Sequence, residues 1–151
     1  MSIASAREEL TLSASVETFF DVVTDVGEYP EFLTGMRAAK VLSRDGAETV
    51  AEFRVHYFRD YSYTLAMTYD PLRRLSWKQV EGPFNSLVGS WTLIAAREDT
   101  VRVEYAIAMD IAFFMPAFLT QLVLSHSFPN MLKEFRERIE AEERHRRRQR
   151  G

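Results

Sequence analysis

A chain of 151 residues, 46% hydrophobic and carrying eleven Phe, six Tyr and two Trp, has the length of one domain and enough aromatic surface for a sizeable core. It has no cysteine, which excludes a disulfide framework and a thiolate metal site and leaves the redox compartment open. The net charge is −3, but Arg144, Arg146, Arg147, Arg148 and Arg150 stand in the last eight residues, so residues 1–143 hold 14 basic against 22 acidic side chains, a net −8 that makes this body a poor general binder of nucleic acid.

The first nine residues lack the basic region and apolar run of a signal peptide, so a cytoplasmic location is expected. Leu10 and Leu12 alternate with polar neighbours and predict a strand over Arg7 to Ser13. Ser15 is placed to cap a helix over Val16 to Thr24, whose apolar side is Phe19, Phe20, Val22 and Val23, and Gly27 follows its end as helix stops do. Pro30 biases Tyr29 away from helical geometry, so Glu28 to Leu33 is expected to be a turn or a new short helix.

From Met36 to Ile111 the pattern has period two. Turn signals at Asp45-Gly46, Arg59-Asp60, Asp70-Pro71, Glu81-Gly82-Pro83 and Glu98-Asp99 divide it into six strands. In the strand over Tyr61 to Tyr69, Tyr61, Tyr63, Leu65, Met67 and Tyr69 alternate with small polar residues and Ala66. In the strand over Thr100 to Ile111, Val101, Val103, Tyr105, Ile107 and Met109 alternate in the same way. One covered face and one wetter face are the signature of an antiparallel sheet.

After Met115-Pro116 the period becomes helical, and Phe118, Leu122, Ser125, Phe128, Leu132, Phe135 and Ile139 trace one stripe suited to cover the sheet. Pro129 lies inside this helix and predicts a kink or a break. The most apolar stretch, Ile111 to Leu124, is 14 residues long and holds Pro116 and Gln121, short of the roughly 20 that span a bilayer. The closing arginines read either as a solvated helix end complementing the helix dipole or as a basic tail, 144–151, that meets RNA phosphates or an anionic lipid surface.

Groups able to move protons are few. His145 lies in the basic tail, His56 falls on the face opposite Phe53, Val55 and Tyr57, and His126 with Ser125 and Ser127 forms a polar notch that could anchor a ligand oxygen. The histidines are too scattered for a metal site and there is no glycine-rich phosphate loop, so no catalytic residue, metal or cofactor is assigned.

Asp25 with Tyr29-Pro30-Glu31-Phe32 and Leu33, then Gly82-Pro83-Phe84, then Leu87, Gly89 and Trp91, resemble the START-like superfamily, also called SRPBCC or Bet v 1-like. Within it the likeness is to the coenzyme Q-binding and polyketide cyclase/dehydrase family, which includes the ribosome-association toxin group. The resemblance implies an α+β helix-grip fold: a curved seven-stranded antiparallel sheet around a long C-terminal helix, two short helices between strands 1 and 2, and one domain over residues 1–143. It also implies an elongated apolar cavity between sheet and helix, where family members bind quinones, lipids or polyketides. Phe53, Val55, Tyr63, Trp77, Phe84, Trp91, Tyr105, Phe118, Leu122 and His126 are then the candidate ligand contacts. Met67, Met109, Met115 and Met131 would make such a pocket adaptable. Carriage of a hydrophobic small molecule leads this reading. A cyclase or dehydratase using His126, Tyr63 or Arg54 as acid or base, and a ribosome- or membrane-contacting protein using the basic tail, stand beside it.

Overall fold

A computed structural model of the chain describes residues 2–57, 59–111 and 117–151, with residues 2, 3, 57, 118 and 119 described by their backbone alone. The elements in order are β1 (Ser2–Leu12), α1 (Val16–Thr24), a 3₁₀ turn (Val26–Glu28), α2 (Tyr29–Phe32), β2 (Met36–Asp45), β3 (Glu48–Tyr57), β4 (Arg59–Asp70), β5 (Arg74–Glu81), β6 (Phe84–Ala96), β7 (Val101–Ile111), α3 (Ala117–Leu122), a π turn (Val123–Ser127) and α4 (Phe128–Arg150). The strands form one antiparallel sheet in the order β1-β7-β6-β5-β4-β3-β2, curved around the C-terminal helix. Extra residues in β2, β5 and β6 help to bend it, since each kinks and twists its strand. No helix among the described residues is long and apolar enough to cross a membrane.

The first and second strands are the two edges of the sheet, so the chain between them must cross its width. It does so as α1 and α2. The Ser15 hydroxyl accepts the Thr18 N–H and starts α1, and Phe19, Phe20 and Val23 are fully buried beneath it. The helix stops at Asp25, whose N–H bonds the Val22 carbonyl, while Gly27, expected as the stop, lies in the 3₁₀ turn beyond. At the next corner the buried Tyr29 hydroxyl donates to the Val23 carbonyl at 2.5 Å. Burial, with Asp25 and Tyr63 adding to it, raises the pKa of this phenol far above its ordinary value, so Tyr29 serves as a neutral structural donor.

Two other strand assignments shift. The edge strand β1 begins at Ser2, not Arg7, because pairing with the full length of β7 extends it beyond its own alternation. Arg59 and Asp60, expected as a turn, pair with Tyr57 and His56.

Two glycines of the family pattern have steric reasons. Gly89 stands directly opposite Trp77, and a Cβ there would overlap the indole. Gly82 lies where a Cβ would come within 2.7 Å of Tyr63 Cβ. That turn is closed by the Gln79 amide, which donates to the Phe84 carbonyl at 2.8 Å and accepts its N–H at 3.3 Å.

In the C-terminal helix, Leu132, Phe135 and Ile139 form the buried stripe. The break foreseen from Pro129 is a π turn in which the Phe128 N–H reaches the Val123 carbonyl. Pro129 itself sits in the first turn of α4, where a missing N–H is tolerated. The turn has a further consequence: an i→i+5 turn holds more residues than an α turn, so a stripe extrapolated back from Leu132 loses its phase. Leu122 is 41% exposed and Ser125 is exposed, its hydroxyl donating to the Gln121 carbonyl. Thr120, Leu124 and Ser127 face inward in their place.

Candidate ligand cavity

Between the concave face of the sheet and the C-terminal helix lies a partly enclosed cavity of about 190 Å³. Seven of the candidate contacts line it: Phe53, Val55, Tyr63, Trp77, Phe84, Trp91 and Tyr105. They come together because they share the inward parity of five neighbouring strands, so that Phe53 pairs with Tyr63 and Trp91 with Tyr105. The same parity brings in Tyr61, Leu65, Ile107 and Met109, which were not among the candidate contacts although their alternation was the signal that points to them. The helix side is supplied by Thr120, Val123, Leu124, Ser127, Phe128 and Met131. Met67, Met109 and Met131 are in the wall, while Met115 lies outside the described residues.

Two candidate contacts are not in the lining. Leu122 and His126 both point outward, displaced by the phase change at the π turn, and the side chain of Phe118 lies outside the described residues. Ser127, next to His126, takes the inward position instead. Arg54 and His56 are exposed on the opposite face of β3. His56 Nδ1 lies 2.8 Å from Asp60 Oδ1. The hydrogen bond from His56 leads the effects that hold the Asp60 carboxyl below its usual range.

Among the described residues that line the cavity, none carries a formal charge, and the side-chain hydrogen-bonding groups are the hydroxyls of Ser5, Tyr29, Tyr61, Tyr63, Tyr105, Thr120 and Ser127 and the indole N–H groups of Trp77 and Trp91. No three His, Cys, Asp or Glu side chains among the described residues gather to hold a metal ion. Such a lining can bury a large carbon skeleton and orient it by one or two hydrogen bonds. It offers a bare charge no partner.

Phe135 ties the helix to this wall, its ring meeting those of Tyr29 and Phe32 at 5.3 Å and Trp91 at 5.4 Å, all edge to face. Beyond it, α4 is strapped to the connections around α1 and α2 by polar contacts. Glu134 accepts from Thr34, Arg136 donates to the Thr11 carbonyl at 2.7 Å, and Glu140 accepts the Ser13 N–H at 2.8 Å. Glu143, 1% exposed, accepts the Ser15 N–H at 2.7 Å and pairs with Arg147 at 3.2 Å and Arg150 at 3.1 Å. Burial alone would raise its pKa. The Ser15 N–H, the Thr18 and Ser15 hydroxyls and Arg147 together outweigh that and bring it down to about 2. Arg146 pairs with Asp21 at 2.8 Å and Glu142 at 3.0 Å. The basic end of the chain is thus the last turns of α4, with three of its arginines held by the protein's own carboxylates.

A family model described as polyketide cyclase / dehydrase and lipid transport matches residues 12–136. The ribosome association toxin RatA of Vibrio cholerae is 28% identical over 128 residues, which is 84% of this chain and 89% of the toxin. Among solved structures, the Zhui aromatase/cyclase from Streptomyces sp. R1128 superimposes with a TM-score of 0.79 at 13% identity over 96% of each chain. A START superfamily protein from Mycobacterium smegmatis does so with a TM-score of 0.77 at 14% identity, over 91% of this chain and 97% of its own. These two likenesses are likenesses of fold.

Proposed function

Since the chain belongs to the polyketide cyclase/dehydrase and lipid transport family, we propose that it binds and carries a hydrophobic small molecule, a quinone, lipid or polyketide-like compound, between the sheet and the C-terminal helix. The observation that carries this reading is the cavity lining, in which described side chains offer chiefly carbon, with hydroxyls and two indole N–H groups, and no formal charge. Burial at about 25 cal/mol per Å² of apolar surface would drive uptake, and the tyrosine hydroxyls would orient a carbonyl or hydroxyl of the ligand. Native mass spectrometry of protein purified from cells is expected to show a bound mass that organic extraction removes and that an added neutral lipid or quinone restores. A chain that arrives empty and takes up neither overturns the reading.

The family description also names cyclases, and that chemistry needs proton-moving groups converging on the substrate. His126 and Arg54 stand outside the lining, leaving Tyr63 and its neighbouring hydroxyls. That arrangement favours carriage over acid–base chemistry.

The likeness to a protein named as a ribosome association toxin favours a second reading, contact with the ribosome through the end of α4. Arg146, Arg147 and Arg150 are engaged within the chain. Arg144 and Arg148 are exposed and have no ion pair among the described residues, so they are the pair to alter. Cosedimentation with ribosomes is expected to weaken with salt and to be lost in Arg144→Glu/Arg148→Glu. Equal cosedimentation of variant and wild type at two salt concentrations overturns this contact.

A further inference from the structure

The concave side holds a second, partly open cavity of about 180 Å³, framed by Thr24 at the end of α1, Val26 beyond it, Arg44 and Gly46 of the β2–β3 hairpin, and Thr49 and Tyr69. Its described lining and that of the main cavity share a single residue, Met67. Met67 is 3% exposed on β4. Its partner on β3, Thr49, lines the second cavity, and its partner on β5, Trp77, lines the first. One side chain therefore stands between two chambers.

We infer that Met67 is a partition that gauges ligand length, and that the ligand is an elongated, carbon-rich molecule with a hydrogen-bond-accepting end. The body of the ligand lies in the first chamber, and its end reaches past Met67 into the second. This rests on the carriage reading above. An unbranched thioether with three rotatable bonds yields at lower cost than a β-branched or aromatic wall would.

The two chambers differ as such a ligand requires. The first is walled mainly by carbon, with neutral hydroxyl and indole donors and no charge among its described residues. The second is lined in part by the exposed Arg44, which has no ion pair among the described residues, and by Tyr69, whose hydroxyl accepts the Leu72 N–H at 3.0 Å and keeps its own proton to donate. A neutral oxygen at the end of a chain finds donors there, while its apolar body stays among Trp77, Trp91 and Tyr105.

A homologous series of straight-chain alkan-1-ols tests the gauge, read by quenching of Trp77 and Trp91, the two tryptophans of the chain, both in the first chamber. In the wild-type protein each added methylene is expected to tighten binding roughly fourfold until a chain length at which the gain stops. Met67→Ala, and the milder Met67→Val should alanine cost too much stability, are expected to move that limit to longer chains. Met67→Phe is expected to move it to shorter ones. Melting curves identify which variants are folded. An unchanged limit in every folded variant overturns the gauge and leaves carriage standing. Wild-type protein that binds no alkanol, and is also empty by native mass spectrometry, overturns both.

Discussion

Phe135→Ala is expected to destabilise the protein by about 3 to 5 kcal/mol, the range for removing a buried aromatic ring. The side chain is 3% exposed and lies edge to face with Tyr29, Phe32 and Trp91, and such ring pairs add about 0.5 to 1.5 kcal/mol each beyond simple burial. Collapse of the site is limited, because the rings around it belong to two elements other than its own helix: the α2 corner and β6. For a domain of this size the loss corresponds to a fall in melting temperature on the order of 10 °C, measurable by calorimetry. Phe135 also lines the cavity, so the space left by its ring adds to the ligand chamber. A bulkier hydrophobic ligand should then stabilise the variant more than the wild type. A loss below about 1 kcal/mol would show that α4 is not anchored through this ring.

Glu143→Gln is expected to remove on the order of 3 kcal/mol at neutral pH and to flatten the acid limb of the stability curve. The folded-state pKa of Glu143, about 2, lies below its ordinary value of 4.5. Its contribution is therefore complete above about pH 4.5 and is lost as pH falls towards 2. Glu140, Glu142 and Asp21 accept hydrogen bonds or pair with arginine around the same helix end and are unchanged by the substitution, so the informative quantity is the difference between wild-type and variant curves. That difference should shrink steadily below pH 4.5. Urea titrations at a series of pH values would measure it, and parallel curves down to pH 2 would show that Glu143 is not the titrating anchor.

Much of the frame was legible before any coordinates. Ser15 and the apolar side of Val16 to Thr24 marked α1 with its observed bounds, because capping and amphipathic period are local. The alternation from Met36 to Ile111 read as six antiparallel strands, and Tyr29-Pro30, Gly82-Pro83 and Gly89-x-Trp91 pointed to the helix-grip family. Gly89 shows why such a pattern is informative: the flat Trp77 ring leaves no room for a Cβ opposite it. Seven of the candidates taken from the resemblance stand on the covered face of the sheet, since a strand has two faces and one of them must be covered.

The helix side of the cavity was less legible. A stripe drawn at α spacing through Phe118, Leu122 and Ser125 assumes one unbroken period, whereas the chain satisfies Pro129 by inserting a π turn and rotates everything before it. Gly27 follows the end of α1 as read, but the stop itself is the Asp25 N–H on the Val22 carbonyl. Glu143 reads in sequence as one more acidic residue of a charged helix. Its burial comes from Ser15, 128 residues earlier, a separation that local pattern does not register.

The amino-acid sequence by itself determined the order and kind of the elements, the inward face of each strand and the family, because these depend on side-chain period and on contacts between near neighbours. Only the tertiary structure decided which arginines at the end of α4 are held by carboxylates, how the π turn rotates the helix over the cavity, and that Met67 stands between two chambers. Those are properties of space enclosed between distant segments. The same apolar residues could fill such space or line it, and packing in three dimensions settles which.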